Sequence, residues 1–135
     1  LRRDDRFFIF PSTTPADFDP VEARIALDKI MATGADRIYL THFGVLHEVD
    51  EGFRKMVAAL NYMQGVLDKA ANPDMADEEI DGFCLKEVEF FFRRELADLS
   101  LPSFEEVAEL LSGDMHLNAM GIAHSARKLR RPKAS

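Results

Sequence analysis

The spacing of apolar residues changes partway along the chain. Before Gly44 they come in short runs. Phe7-Phe8-Ile9-Phe10 is a continuous apolar run stopped by Pro11, which predicts a short buried strand. Ser12-Thr13-Thr14-Pro15 then reads as a loop of hydroxyl residues and prolines. Asp19-Pro20-Val21-Glu22 predicts a helix start, with Asp at the N-cap, Pro at the first helical position and Glu in the first turn. Leu27, Ile30 and Met31 share a face of that helix, Ala23 lies one turn before them, and Gly34 supplies the stop. Arg37-Ile38-Tyr39-Leu40 predicts a second strand running into Thr41-His42-Phe43-Gly44. Strand, loop, helix and strand in this order predict an α/β piece over residues 1–44.

After Gly44 the spacing becomes three and four. Val49, Phe53, Met56, Val57, Leu60, Met63 and Leu67 form a long helical stripe, with Asp50 as N-cap and Asn72-Pro73 as the end. A second helix is predicted from about Ala76 to Leu99, facing the core with Ile80, Phe83, Cys84, Val88, Phe91, Phe92 and Leu96. Ser103 and Glu106 fit a capping box for a third helix, which Gly113 ends. Asp114 caps a last helix carrying Leu117, Met120, Ile122 and Ala126, and a basic, fraying tail follows from Arg127 to Lys133. Residues 45–135 therefore read as a mainly helical extension, a bundle of about four helices whose wide stripes need partners.

Composition narrows the function classes. A net charge of −7 argues against general nucleic-acid binding, and only the basic tail speaks for it. The single Cys84 excludes an internal disulfide and a cysteine-based zinc knuckle, and suggests a reducing, cytoplasmic setting. No apolar run approaches the roughly 20 residues of a membrane span, and Leu-Arg-Arg-Asp-Asp-Arg is no signal peptide. A first residue of Leu rather than Met leads us to expect that the chain is cut from something longer.

Candidate chemistry centres on His42. A strand that delivers an imidazole to a glycine turn can place a zinc or iron ligand at the rim of a sheet, and the competing reading is a hydrogen-bonded structural histidine. One histidine cannot hold a catalytic metal, which needs about three protein ligands. His47 follows closely enough to approach the same site from the loop, whereas His116 and His124 on the last helix are expected to face solvent or an interface. The acidic run Asp74, Asp77, Glu78, Glu79, Asp81 fits a helix N-terminus and lacks the ligand pattern of an EF-hand. Gly-rich phosphate loops, Gly-x-Ser-x-Gly elbows and His-Glu-x-x-His are absent from the sequence.

Longer stretches resemble a known family. Phe8-Ile9-Phe10-Pro11-Ser12-Thr13-Thr14-Pro15-Ala16-Asp17-Phe18-Asp19-Pro20 is similar to the F-I-F-P-T-T-T-P-x-x-F-D-P segment of metallo-β-lactamase-fold hydrolases. Ala26-Leu27-Asp28-Lys29-Ile30 stands where that family has S-(I/L)-D-R-L, and Ile38-Tyr39-Leu40-Thr41-His42-Phe43 resembles its (V/L)-Y-L-T-H-(F/Y). Asp114-Met115-His116-Leu117-Asn118-Ala119-Met120-Gly121-Ile122 is similar to the D-x-x-L-N-A-x-G-(L/I) helix that closes a subgroup of these proteins.

The resemblance implies an αβ/βα sandwich with a metal site, usually binuclear zinc or iron, at one edge. It gives His42 the role of that site's last histidine ligand, in an enzyme where metal-bound hydroxide attacks a carbonyl carbon or a phosphorus. The His-x-His-x-Asp-His motif, the middle histidine and the bridging aspartate are absent, and in the family they lie upstream of the position matching Leu1. The chain thus reads as the C-terminal edge of such a hydrolase, with the upstream part of the same protein as its partner and no activity alone. The alternative is a helical dimerisation or interaction module, a homodimer using Phe83, Phe91 or Phe92. If the chain is a truncation, the strands at residues 7–10 and 37–40 should show apolar surface and open edges.

Overall fold

The computed structural model describes residues 2–3, 5–16, 18–41, 44–100 and 104–131. His42 and Ser103 lie outside them, and with them the predicted metal ligand and the predicted capping box. The chain combines five α-helices with two small antiparallel sheets among the described residues.

β1 (Arg2–Arg3) pairs with β2 (Arg6–Phe7). The strand predicted across Phe7–Phe10 is therefore paired only at Phe7. Beyond it the chain runs extended into the helices, where Phe8 and Phe10 meet Phe92 at ring distances of 5.1 and 4.5 Å. These rings gain more by filling an aromatic cluster than a sheet edge could offer them.

α1 (Pro20–Met31) begins as predicted, with Asp19 accepting from the amides of Val21 at 2.9 Å and Glu22 at 3.1 Å. β3 (Ile38–Leu40) pairs with β4 (Gly44–Leu46), Ile38 opposite Leu46 and Leu40 opposite Gly44. Gly44 sits at φ +81°, a left-handed conformation that glycine adopts without a steric cost. The sequence reading missed β4 because three residues are too few to display a period of two.

α2 (Val49–Ala71) and α3 (Ile80–Ala97) match the two long stripes. Asp50 lies inside the first turn of α2 rather than at its cap, and a single 3-10 turn at Asp77–Glu79 leads into α3. α4 (Phe104–Leu110) stops before Gly113, which falls with Asp114 in the first turn of α5 (Ser112–Arg130). Of the predicted core face of α5, Ile122 and Ala126 are buried, whereas Leu117 and Met120 are exposed and Met115 and Ala119 are buried instead.

One hydrophobic cluster joins α2, α3 and α5 and includes Phe8 and Phe18 from the N-terminal segment. Of the three residues named from sequence for a dimer face, Phe91 and Phe92 are buried within this cluster and Phe83 is half-buried. The described part of the basic tail does not fray. Arg130 donates to the carbonyls of Ala70, Asn72 and Met75 around the end of α2, and Arg127 pairs with Asp77 and Asp81. These contacts satisfy carbonyls that a helix C-terminus leaves open.

The other side of the molecule is looser. α1 buries no residue completely, and Val21, Ile25, Ile30, Tyr39 and Val45 are exposed. Apolar surface thus occurs at the β3–β4 hairpin but not at Phe7 and Phe8, which are covered, while both sheets have only two strands among the described residues. Among the described residues, no helix is long and apolar enough to cross a membrane.

Candidate functional site

Thr13, Thr14 and Phe18 lie along one face of α5, outside any sheet. Buried peptide groups need partners, so side chains of the helix supply them. The Thr13 amide donates to Asn118 Oδ1 at 2.6 Å. The Thr13 hydroxyl lies 2.7 Å from the same oxygen and 2.9 Å from the Asn118 carbonyl, so its one proton has two acceptors. Asn118 Nδ2 donates back along its own helix to the Asp114 carbonyl at 2.8 Å, which turns the amide oxygen toward Thr13. One turn on, a Cβ at Gly121 would stand 1.5 Å from the Thr13 carbonyl oxygen, so only glycine admits this approach. A further turn on, Ser125 donates to the Phe18 carbonyl at 3.0 Å.

This docking shapes a cavity of about 300 Å³. Phe8, Ile9 and Phe10 form its floor, Leu40 and Leu117 its walls, and Ser12, Thr14 and Asp114 its polar rim beside Asn118. A second cavity of about 190 Å³ lies beyond Ile9 and Leu40, which line both. It is walled by apolar side chains of α1, α2 and the β3–β4 hairpin. Leu40 is two residues before His42, so the larger cavity adjoins the strand end from which the predicted ligand follows.

The other predicted site residues do not converge there. His47 is exposed and follows Leu46, which pairs with Ile38, so it sits at the opposite end of the hairpin from the turn after Leu40. It therefore does not approach the strand end as the sequence reading proposed. His116 is exposed with Nδ1 2.8 Å from the Ser112 carbonyl, and His124 is exposed on the same helix. No group of three or more His, Cys, Asp or Glu among the described residues could hold a metal ion. The described residues thus do not by themselves form the zinc or iron cage that the resemblance implies.

Burial raises two ionisable groups of the bundle, both for structural reasons. Burial, reinforced by the charge of Asp81, pushes the Cys84 thiol up to about 12, which suppresses its thiolate and makes it a poor nucleophile. Burial and a 3.0 Å hydrogen bond to Glu87 likewise push Tyr62 up to about 12.

Sequence reasoning missed Thr13, Asn118, Gly121 and Ser125 as a unit. The signal was present in α5 as small or polar residues spaced three and four apart, beside the large apolar Leu117 and Met120. Comparison with known protein families, with curated proteins and with solved structures finds no match to this chain.

Proposed function

We propose that this chain is the C-terminal part of a cytoplasmic, metal-dependent hydrolase of the metallo-β-lactamase type. In this reading residues 1–44 belong to an edge of an αβ/βα sandwich, His42 is a zinc or iron ligand, and residues 45–135 are a helical extension. The remaining ligands come from the upstream part of the same protein, so the chain is inactive alone.

One observation carries the reading. The two stretches that most resemble the family, residues 8–20 and 114–122, are far apart in sequence yet lock together through Thr13, Asn118 and Gly121. Asn and Gly of the D-x-x-L-N-A-x-G pattern each have a physical task in that contact. The contact also builds the cavity beside Leu40, where a substrate would reach the strand end.

The test is metal content together with turnover. The purified 135-residue chain is expected to retain zinc or iron well below one equivalent after dialysis and to hydrolyse no ester, thioester or lactam. A tightly held stoichiometric metal with turnover would overturn the proposal.

A further inference from the structure

We propose that the cavity between the N-terminal segment and α5 binds an amphiphile with a short aliphatic tail and a cationic or hydroxyl head, and excludes carboxylates. Its floor is aromatic and aliphatic, Phe8 and Phe10 stacking at 5.3 Å, which suits an apolar tail. Head-group recognition falls to the rim. Asn118 contributes little, because it is 3% exposed, its amide oxygen already accepts from Thr13 and one Nδ2 hydrogen goes to the Asp114 carbonyl. Ser12 and Thr14 remain, with hydroxyl oxygens 3.4 Å apart and both residues exposed, together with the Asp114 carboxylate.

Charge then selects the occupant. Asp114 is the one ionisable residue among the described residues lining the cavity, and no described Lys or Arg pairs with it. A cationic head gains from that carboxylate, a hydroxyl head donates to it, and an anionic head is repelled. The second cavity, beyond Ile9 and Leu40, carries no such argument, because its lining offers nothing to orient a head group.

Calling this ligand the substrate side of a hydrolase rests on the proposed function; the binding itself does not. The test therefore uses neither metal nor a scissile bond. Titrations of the full chain with n-octylamine, n-octanol and octanoate, each below its micelle concentration, are followed by amide NMR. Saturable shifts are expected at Ile9, Ser12, Leu117 and Asn118 with the amine and the alcohol, and octanoate should bind on the order of tenfold more weakly than octylamine. Asp114→Asn should remove most of the difference between amine and carboxylate. Leu117→Arg, at a position 48% exposed and so compatible with folding, should block the cavity to octylamine while circular dichroism stays unchanged. The proposal is overturned by any of three results: no saturable shift with amine or alcohol, octanoate binding as tightly as octylamine, or a folded Leu117→Arg variant that still binds octylamine. Failure here would leave the metal and turnover result standing, and the reverse also holds.

Discussion

The bundle of α2, α3 and α5 and the edge formed by α1 with the β3–β4 hairpin are built from equally good local signals but held by different forces. In the bundle Phe92, Ile80, Val88 and Ile122 are completely buried. At the edge α1 has a strong N-cap, yet Val21 is 62% exposed and Ile25 40%. Its attachments include half-buried Ala23 and Leu27 and a hydrogen bond from Arg24 to Asn61. A cap decides where a helix starts; buried apolar area decides how firmly it is held.

The largest effect should come from breaking that contrast directly. Phe92→Ala removes a ring that meets Phe8, Phe10 and Phe91, and should cost about 3–5 kcal/mol. Ile25→Ala should cost no more than about 0.5 kcal/mol. Urea denaturation of the two variants measures both. Comparable losses would show that the edge is as integral to stability as the bundle.

Gly121 tests the seam between α5 of the bundle and the N-terminal segment that leads to α1. Alanine is the better helix former by about 1 kcal/mol, so propensity alone favours Gly121→Ala. The 1.5 Å approach to the Thr13 carbonyl opposes it, and backbone cannot swing aside as a side chain can. We expect a net loss of about 1–3 kcal/mol, with hydrogen-exchange protection lost first at Thr13. Gly82→Ala is the control: a Cβ there meets nothing within 4 Å, and the substitution should stabilise α3 by up to about 1 kcal/mol. If both substitutions stabilise, the N-terminal segment is not seated on α5 as described.

What the sequence disclosed divides along the same line. The stripes of α2 and α3 were readable because each extends over several turns, and a long repeat averages out local ambiguity. The α1 start was readable because Asp19 and Pro20 act on their own neighbours. Gly113 misled because a glycine between two helices reads as a stop, yet it falls just inside the second one. Leu117 and Met120 misled because large apolar residues look like core, whereas close backbone approach requires the small face of Asn118, Gly121 and Ser125. That face depends on a partner more than a hundred residues upstream, and no local window contains it. The site was legible to the same extent: Leu40 and the strand end could be read, but the cavity wall contributed by α5 could not.

The smallest effect concerns charge on the bundle side. Arg127, on α5, donates to Asp81 at 2.7 Å and to the Asp77 carbonyl at 3.1 Å, tying α5 to the entrance of α3. The Arg127 hydrogen bond, helped by its positive charge, holds the Asp81 carboxyl below its ordinary value, while partial burial opposes the shift. The folded state therefore binds that proton less readily than the unfolded chain. The resulting stability is present above the ordinary carboxylate pKa and is lost as pH falls through the lowered one. Both partners reach solvent, with Arg127 29% and Asp81 66% exposed, so the contribution should stay below about 1 kcal/mol and shrink with salt. Melting curves of the native protein and Arg127→Gln from pH 6 to pH 2 separate two contributions, because the Asp77 carbonyl does not titrate. The part of the difference that fades on acidification belongs to the ion pairs with the Asp81 and Asp77 carboxylates, and the part that persists belongs to the carbonyl contact. A difference independent of both pH and salt would mean that the two ion pairs contribute nothing and that Arg127 stabilises the α3–α5 contact through the Asp77 carbonyl alone.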